Sequence, residues 1–240
     1  MRFPLLAKAA AVGLIIFVLL GVLTRIDWLV SERRSRQTMA MQSVAQSLAA
    51  SQTMVGPLLQ RQCTEEWDTA EGEGKARRTV TSKRDITLHS AAQLLIAETQ
   101  LVAEARYRGL FKVNGYAGPT MLRARWVHLE KIQPQREHKN SRLRCEAATV
   151  LLSLSDPRGI RSAKVMIDGI AAEVRPGTGH TKYERGLSAA LTDARSNQAG
   201  QALDVTVELD LVGTARVALV PAAQETTWAM RSDWPHPSFG

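Results

Sequence analysis

The first part of the chain is apolar on all sides, unlike a soluble helix with a single apolar face. The stretch LLAKAAAVGLIIFVLLGVL, Leu5–Leu23, carries one charge, on Lys8. At about 1.5 Å of rise per residue, it is just long enough to cross a hydrocarbon core of about 30 Å. A cleaved signal peptide is the alternative, but no small-x-small cleavage site follows. We therefore predict an uncleaved signal anchor in residues 1–24, in contact with the lipid bilayer through residues 5–23.

Apolar positions recur with helical spacing beyond this span. They lie three or four residues apart between Ile26 and Leu48, with Arg33 and Gln37 among them, and this stretch contains no Gly or Pro. The pattern predicts a helical stalk over residues 25–54, which the Gly-Pro pair in VGPLL, Val55–Leu59, would end. The stalk could also pair with that of a second copy and form a homodimer.

Polar and apolar residues alternate with a period near two beyond Pro57, as in half-buried strands. ATVLLSLSD, Ala148–Asp156, is more continuously apolar and predicts a central strand. SAAQLLIAE, Ser90–Glu98, could form one short helix. Residues 55–240 are therefore predicted to be mainly β, an antiparallel β-sandwich or meander. The other predicted strands are Thr79–His89, Glu104–Tyr116, Met121–Leu129, Ser162–Asp168, Ala171–Gly177, Ala202–Gly213, Thr214–Pro221 and Glu225–Asp233.

The chain is basic, with 31 Lys and Arg against 23 Asp and Glu and a formal net charge of +8. Such a charge fits nucleic acid, an anionic membrane surface or a solvated exterior. A β-rich domain behind a signal anchor argues against nucleic acid. Lys and Arg on the two sides of the span do not settle its orientation. Residues Lys131–Arg144 are predicted to form an exposed basic loop, or a surface that meets anionic lipid or cell-wall polymer.

Two cysteines are present, Cys63 and Cys145. In an exported domain, a disulfide closing some eighty residues could stabilise the fold by about 4 kcal/mol in the chain-entropy model. The sequence leaves open whether the two are bridged, with separate thiols slightly favoured.

No stretch of the chain predicts a catalytic, cofactor-binding or metal site. RPGTGHTKYERG, Arg175–Gly186, has glycines and a lysine but lacks the frame of a phosphate-binding loop, so we predict a loop between strands. We therefore predict no cofactor and no enzyme activity. The five histidines, which lack metal-ligand spacing, are His89, His128, His138, His180 and His236.

Five short stretches carry a family resemblance. They are SERRSRQ (Ser31–Gln37), VGPLL, SDPRGI (Ser155–Ile160), PGTG (Pro176–Gly179) and SDWPHPSFG (Ser232–Gly240). With the apolar span before them, and in this order and spacing, they resemble the CreD family of bacterial inner-membrane, cell-envelope proteins over essentially the whole chain. The last stretch is the most specific.

The resemblance implies an N-terminal span, a β-rich domain that faces the periplasm, and a later bundle of spans. This chain would then be the N-terminal portion of such a protein, with its β domain incomplete at the C-terminal end. The implied role is non-enzymatic, in envelope integrity or the response to cell-wall stress, with an unidentified envelope protein or cell-wall partner. The alternative is a membrane-anchored enzyme that acts on cell-wall polymer. The resemblance assigns no catalytic residue.

Overall fold

The computed structural model describes residues 3–47, 49–71, 78–198 and 200–234. One helix, α1, spans Phe3–Ser47. Every side chain from Ala10 to Ser31 is exposed, and the helix contains a stretch long and apolar enough to cross a membrane. Its last turns bury Ala40 and Val44.

The rest of the described chain is mainly β. A four-residue helix, α2, covers Asp193–Ser196, and short 3-10 turns cover Leu129–Ile132 and Pro157–Gly159. The strands are β1 (Gln52–Glu71), β2 (Arg78–Ala91), β3 (Leu94–Arg108), β4 (Phe111–Trp126), β5 (Arg142–Cys145), β6 (Thr149–Leu154), β7 (Ile160–Ile167), β8 (Ile170–Ala172), β9 (Val174–Pro176), β10 (Gly186–Ala190), β11 (Leu203–Thr214), β12 (Val217–Val220) and β13 (Glu225–Ser232).

The strands form two sheets that enclose one core. The first has the order β12-β1-β6-β10-β9, with β2 and β5 also paired to β1, and the second has the order β13-β3-β4-β11-β7-β8. Pairing is antiparallel except for β1 with β12 and β3 with β13. Alternate residues of β11 and of β6 lie in the core between the sheets, and β6 is buried on both of its faces over most of its length. The mainly β fold and the central position of β6 are confirmed.

The predicted end of the helical stalk, at residue 54, is wrong, because α1 ends at Ser47. Strand β1 begins at Gln52 and continues through VGPLL, with a cis peptide bond between Gly56 and Pro57. The β1–β6 register shifts between Val55 and Leu58. This irregularity lets a proline, which has no N–H to donate, lie in a central strand.

Two further local predictions are wrong. Ser90–Glu98 forms the end of β2 and the start of β3 instead of a helix. Its run of apolar residues fits either element, because periodicity does not distinguish a buried helix from a buried strand in so short a segment. Glu104–Tyr116 is two strands of a hairpin, since the chain turns at Gly109 and Leu110 between β3 and β4.

Asp156, in SDPRGI, fixes the start of the β domain against the end of β6. Its carboxylate accepts hydrogen bonds from the Ala50 amide at 2.9 Å and from the Arg158 side chain at 2.7 and 2.9 Å. Its backbone carbonyl accepts a hydrogen bond from the buried side-chain amide of Gln52, at 2.9 Å. Hydrogen bonds from Arg158, together with the Ala50 amide, lower the pKa of Asp156 to about 2.

We expect Asp156→Asn to destabilise the domain at neutral pH and to have little effect near pH 2. An unfolded aspartate has a pKa of about 3.9, so a carboxylate with a lowered folded-state pKa stabilises above that value. This contribution, of about 2 kcal/mol, is lost as the pH falls towards 2. Denaturant unfolding of the full chain in detergent, at a series of pH values, measures the difference.

Asp204→Asn is the matched control for this measurement. Asp204 makes a long ion pair with Arg125, at 3.7 Å, and both side chains are more than half exposed. Such pairs contribute less than about 1 kcal/mol, so the control should stay close to the parent at each pH. A constant deficit of Asp156→Asn from pH 7 to pH 2 would contradict the ionic explanation.

Candidate functional site

A polar cavity of about 280 Å³ lies on the outer face of the first sheet. In the β1–β6 pairing, Gln60 opposes Thr149 on this face, while Leu59 opposes Val150 on the core face. Strand β10 adds Ser188, whose register partner in β9 is Arg175. Side chains alternate between the faces of a strand, so the same three central strands supply core residues and cavity walls. The lining residues are Gln60, Gln62, Glu146, Ala147, Thr149, Arg175, Pro176, Gly177, Thr178, Gly179 and Ser188.

The PGTG stretch forms one wall of this cavity. Gly177 and Gly179 have φ values of 81° and 70°, a backbone conformation that favours glycine. Between them the buried Thr178 donates its hydroxyl to the carbonyl of Tyr183 and accepts from the amide of His180. The turn is therefore held by its own side chains, and its backbone lies against the outer face of the sheet.

Two histidines meet beside this wall. The rings of His89 and His180 lie 4.7 Å apart. The side-chain amide of Gln60 links His89 to the turn: its oxygen lies 3.2 Å from His89 Nε2, and its nitrogen donates to the Gly179 carbonyl at 3.3 Å. Partial burial, and secondarily the nearby His180, lower the pKa of His89. Imidazole Nδ1 of His180 accepts from the Lys182 and Tyr183 amides. Both rings thus support the turn.

The chemistry of the cavity is that of a binding site for a polar ligand. Its walls supply side-chain amides, hydroxyls and exposed glycine backbone, with one carboxylate, Glu146, and one guanidinium, Arg175. Amides and hydroxyls both donate and accept hydrogen bonds, as sugars and peptides do. Glycoside hydrolysis in most families needs a pair of carboxylates, and the lining residues supply one.

The inward-facing row of β1 changes from apolar to charged beyond Leu59. Arg61 and Glu65 occupy the next alternate positions around Cys63, and they are 4% and 0% exposed. Arg61 donates to Gln133, Asn197 and the backbone carbonyls of Glu146 and Ser196. The distances from Arg61 to these acceptors lie between 2.6 and 3.2 Å. Burial lowers the pKa of Arg61, an effect that nearby Asp193 opposes.

Glu65 holds the segment 131–144, which the sequence predicts as an exposed basic loop. One carboxylate oxygen accepts from the Ser141 hydroxyl at 2.6 Å and from the amides of Glu137 and His138 at 2.9 and 3.1 Å. The other pairs with Arg84 at 3.0 Å. The Ser141 hydroxyl and the His138 amide contribute most to lowering the pKa of Glu65. The segment is thus anchored through its polar atoms, while most of its basic side chains remain exposed.

A disulfide joins the two cysteines, so the expectation of two separate thiols is wrong. Cys63 and Cys145 are register partners in the β1–β5 pair, and the bond connects them across 82 residues. It fixes the C-terminal end of the segment held by Glu65, next to Glu146 of the cavity wall.

The other residues considered in the sequence lie in several environments. Of the predicted loop Arg175–Gly186, residues 177–185 connect β9 to β10, while its two ends belong to those strands. It also contributes a wall of the cavity, for which the sequence has no local signal. His138 stacks on Trp67, and His128 contacts Glu130 at 2.8 Å. His236 and most of SDWPHPSFG fall outside the described residues. Within the described ranges, no group of three His, Cys, Asp or Glu side chains could hold a metal ion.

The family model of inner membrane protein CreD matches residues 4–240. The chain is also similar to inner membrane protein CreD of Escherichia coli K12, with 24% identity over 240 residues. This alignment covers the whole chain and 51% of the relative, so the chain spans about half the length of the curated relative that it matches. No solved structure matches the chain significantly.

Proposed function

Since the chain belongs to the CreD family of inner membrane proteins, we propose that it is a non-enzymatic envelope protein that supports envelope integrity under cell-wall stress. Residues 5–23 span the inner membrane, and the β domain faces the periplasm. The cavity beside PGTG binds cell-wall polymer or a peptide of an envelope partner. The observation that carries this proposal is a cavity with mainly polar lining residues, one wall of which is PGTG, a stretch on which the family resemblance rests.

The disulfide supports a periplasmic β domain. Bridges such as Cys63–Cys145 persist in oxidising compartments and are rare in the cytosol. Here the bond connects β1 to the segment that Glu65 anchors, so oxidation stabilises the region next to the cavity. Export to an oxidising compartment therefore also stabilises the region around the proposed binding site.

We expect Ser188→Trp to abolish binding to cell-wall polymer. Ser188 lines the cavity from the middle of the sheet, and an indole there would fill much of the space. In sedimentation of the full chain, in mild detergent, with purified peptidoglycan, the bound fraction should fall at least about five-fold. Ser162→Trp is the matched control, because Ser162 is an exposed serine of β7 in the other sheet.

Two results would contradict the proposed function. Equal binding by the parent chain and Ser188→Trp would show that the cavity does not bind the polymer. Release of soluble fragments from peptidoglycan by the parent chain, lost in Glu146→Gln, would instead establish the alternative of an anchored enzyme.

A further inference from the structure

Strands β3 and β4 extend beyond both of their neighbours in the second sheet. The last pair with β13 joins Leu101 to Ser232, and the last pair with β11 joins Gly115 to Thr214. The β3–β4 pairing continues past both, to Arg108 with Phe111. Residues 104–114 therefore form a two-stranded arm, which we call the hairpin arm. A two-stranded ribbon is barely stable alone in water, so it needs a surface to pack on.

Helix α1 supplies that surface and sets the direction of the hairpin arm. At the base of the arm, Thr214 donates its hydroxyl to the Ala49 carbonyl at 3.1 Å, so α1 ends at this level. The helix contacts β3, β4 and β11. It buries Ala40 and Val44, which precede this level in the chain, and the arm buries Val113. The hairpin arm thus runs beside the last turns of α1, in the direction of the membrane span.

The tip of the hairpin arm exposes apolar and basic side chains together. Gly109, with a φ of 60°, occupies the first central position of the two-residue turn, as a type II′ turn requires. The second position is Leu110, which is 98% exposed, and Tyr107 is 68% exposed. Residues 104–114 carry three Lys or Arg against one Glu. An aliphatic tip with an aromatic ring and cations is the composition of segments that enter the interface of an anionic bilayer.

We propose that the hairpin arm is a second membrane contact, which inserts Leu110 and Tyr107 among the headgroups of the bilayer that α1 spans. The arm extends roughly 17 Å beyond Gly115. Helix α1 covers roughly 28 Å between Ser47 and Trp28, an exposed tryptophan suited to the interface. The remaining distance of about 10 Å is spanned by the Leu110 side chain, the tilt of α1 and the thickness of the headgroup layer. Two contacts would fix the orientation of the β domain on the membrane.

Photo-crosslinking of the full chain tests this contact directly. A benzophenone amino acid replaces Leu110, and the protein is reconstituted in vesicles of phosphatidylethanolamine and phosphatidylglycerol. Ile170 is the matched control position. It is 74% exposed, and it lies beside the β7–β8 turn at the opposite end of the sheet, where Ile167 pairs with Val205. We expect at least about five times more phospholipid adduct, by mass spectrometry, from position 110 than from position 170.

A charge reversal provides a second readout that does not depend on the first. With the benzophenone at Tyr107, Lys112→Glu should lower the phospholipid adduct at least about three-fold, because a carboxylate beside the ring is repelled by anionic lipid. Lys112 is exposed, and a denaturant midpoint equal to that of the parent chain shows that the variant is folded. Equal lipid adducts at positions 110 and 170, or adducts to protein alone, would overturn the proposal. It requires only that α1 lies in a bilayer, so it can fail while the envelope role stands.

Discussion

Replacing both cysteines by serine is expected to lower the free energy of unfolding by about 4 kcal/mol, because a loop closed across 82 residues removes much conformational freedom from the unfolded chain. The bond also lies in a strand pair, β1 with β5, that has four residue pairs, so little other backbone pairing holds β5 in place. Denaturant unfolding of the full chain in detergent, followed by tryptophan fluorescence, measures the change.

Reductant supplies the matched control for the cysteine variant. It should destabilise the parent chain to the level of Cys63→Ser/Cys145→Ser and leave that variant unchanged. A parent chain that loses less than about 1 kcal/mol on reduction would contradict this expectation, since the segment 131–144 would then be held by its hydrogen bonds to Glu65 alone.

Arg61→Leu is expected to destabilise the domain by about 3 kcal/mol or more. The guanidinium satisfies four oxygens that lie between β1, α2 and the segment after Leu129. Leucine fills part of the volume but removes the donor of the Glu146, Gln133 and Asn197 oxygens, and each buried unsatisfied group costs about 1–3 kcal/mol. The Ser196 carbonyl keeps the Gln133 amide as a donor, at 2.8 Å. Thermal or denaturant unfolding of the detergent-solubilised chain measures the loss.

The same change at a surface arginine controls for the removal of a charge. Arg123 pairs with Glu98 at 2.7 Å, with both side chains about half exposed. Arg123→Leu should therefore cost less than about 1 kcal/mol. Similar losses for the two variants would contradict the role assigned to Arg61, because burial and the number of acceptors are what distinguish the two positions.

Much of the fold follows from periodicity in the sequence. The apolar run of α1 and the alternation of β11, from Leu203 to Leu211, predict these two elements directly. The run in α1 is long and apolar enough to cross a membrane, and one face of β11 is buried in the core. Strand β1 was missed because its inward row holds Arg61 and Glu65, and because Gly56 and Pro57 lie inside it. A charged residue can be recognised as inward-facing only when its tertiary partners are known.

The candidate site was less predictable than the fold. The glycines of PGTG and the adjacent His180 stand out in the sequence, but the cavity also needs Gln60, Thr149 and Ser188 from three strands that are distant in sequence. Strand order brings them together, and no local pattern encodes that order. The pairing of Cys63 with Cys145 has the same origin, since it depends on the adjacency of β1 and β5.

The proposed function requires that the β domain faces the periplasm, and a pair of reporters fused after Gly240 measures which side of the membrane it faces. One reporter is a phosphatase that is active only outside the cytoplasm, and the other is a protein that is fluorescent only inside it. We predict high phosphatase activity and no fluorescence. Deleting residues 5–23 should abolish the phosphatase activity, because it removes the proposed anchor. Bright fluorescence without phosphatase activity would contradict the account, because the β domain would then face the cytoplasm.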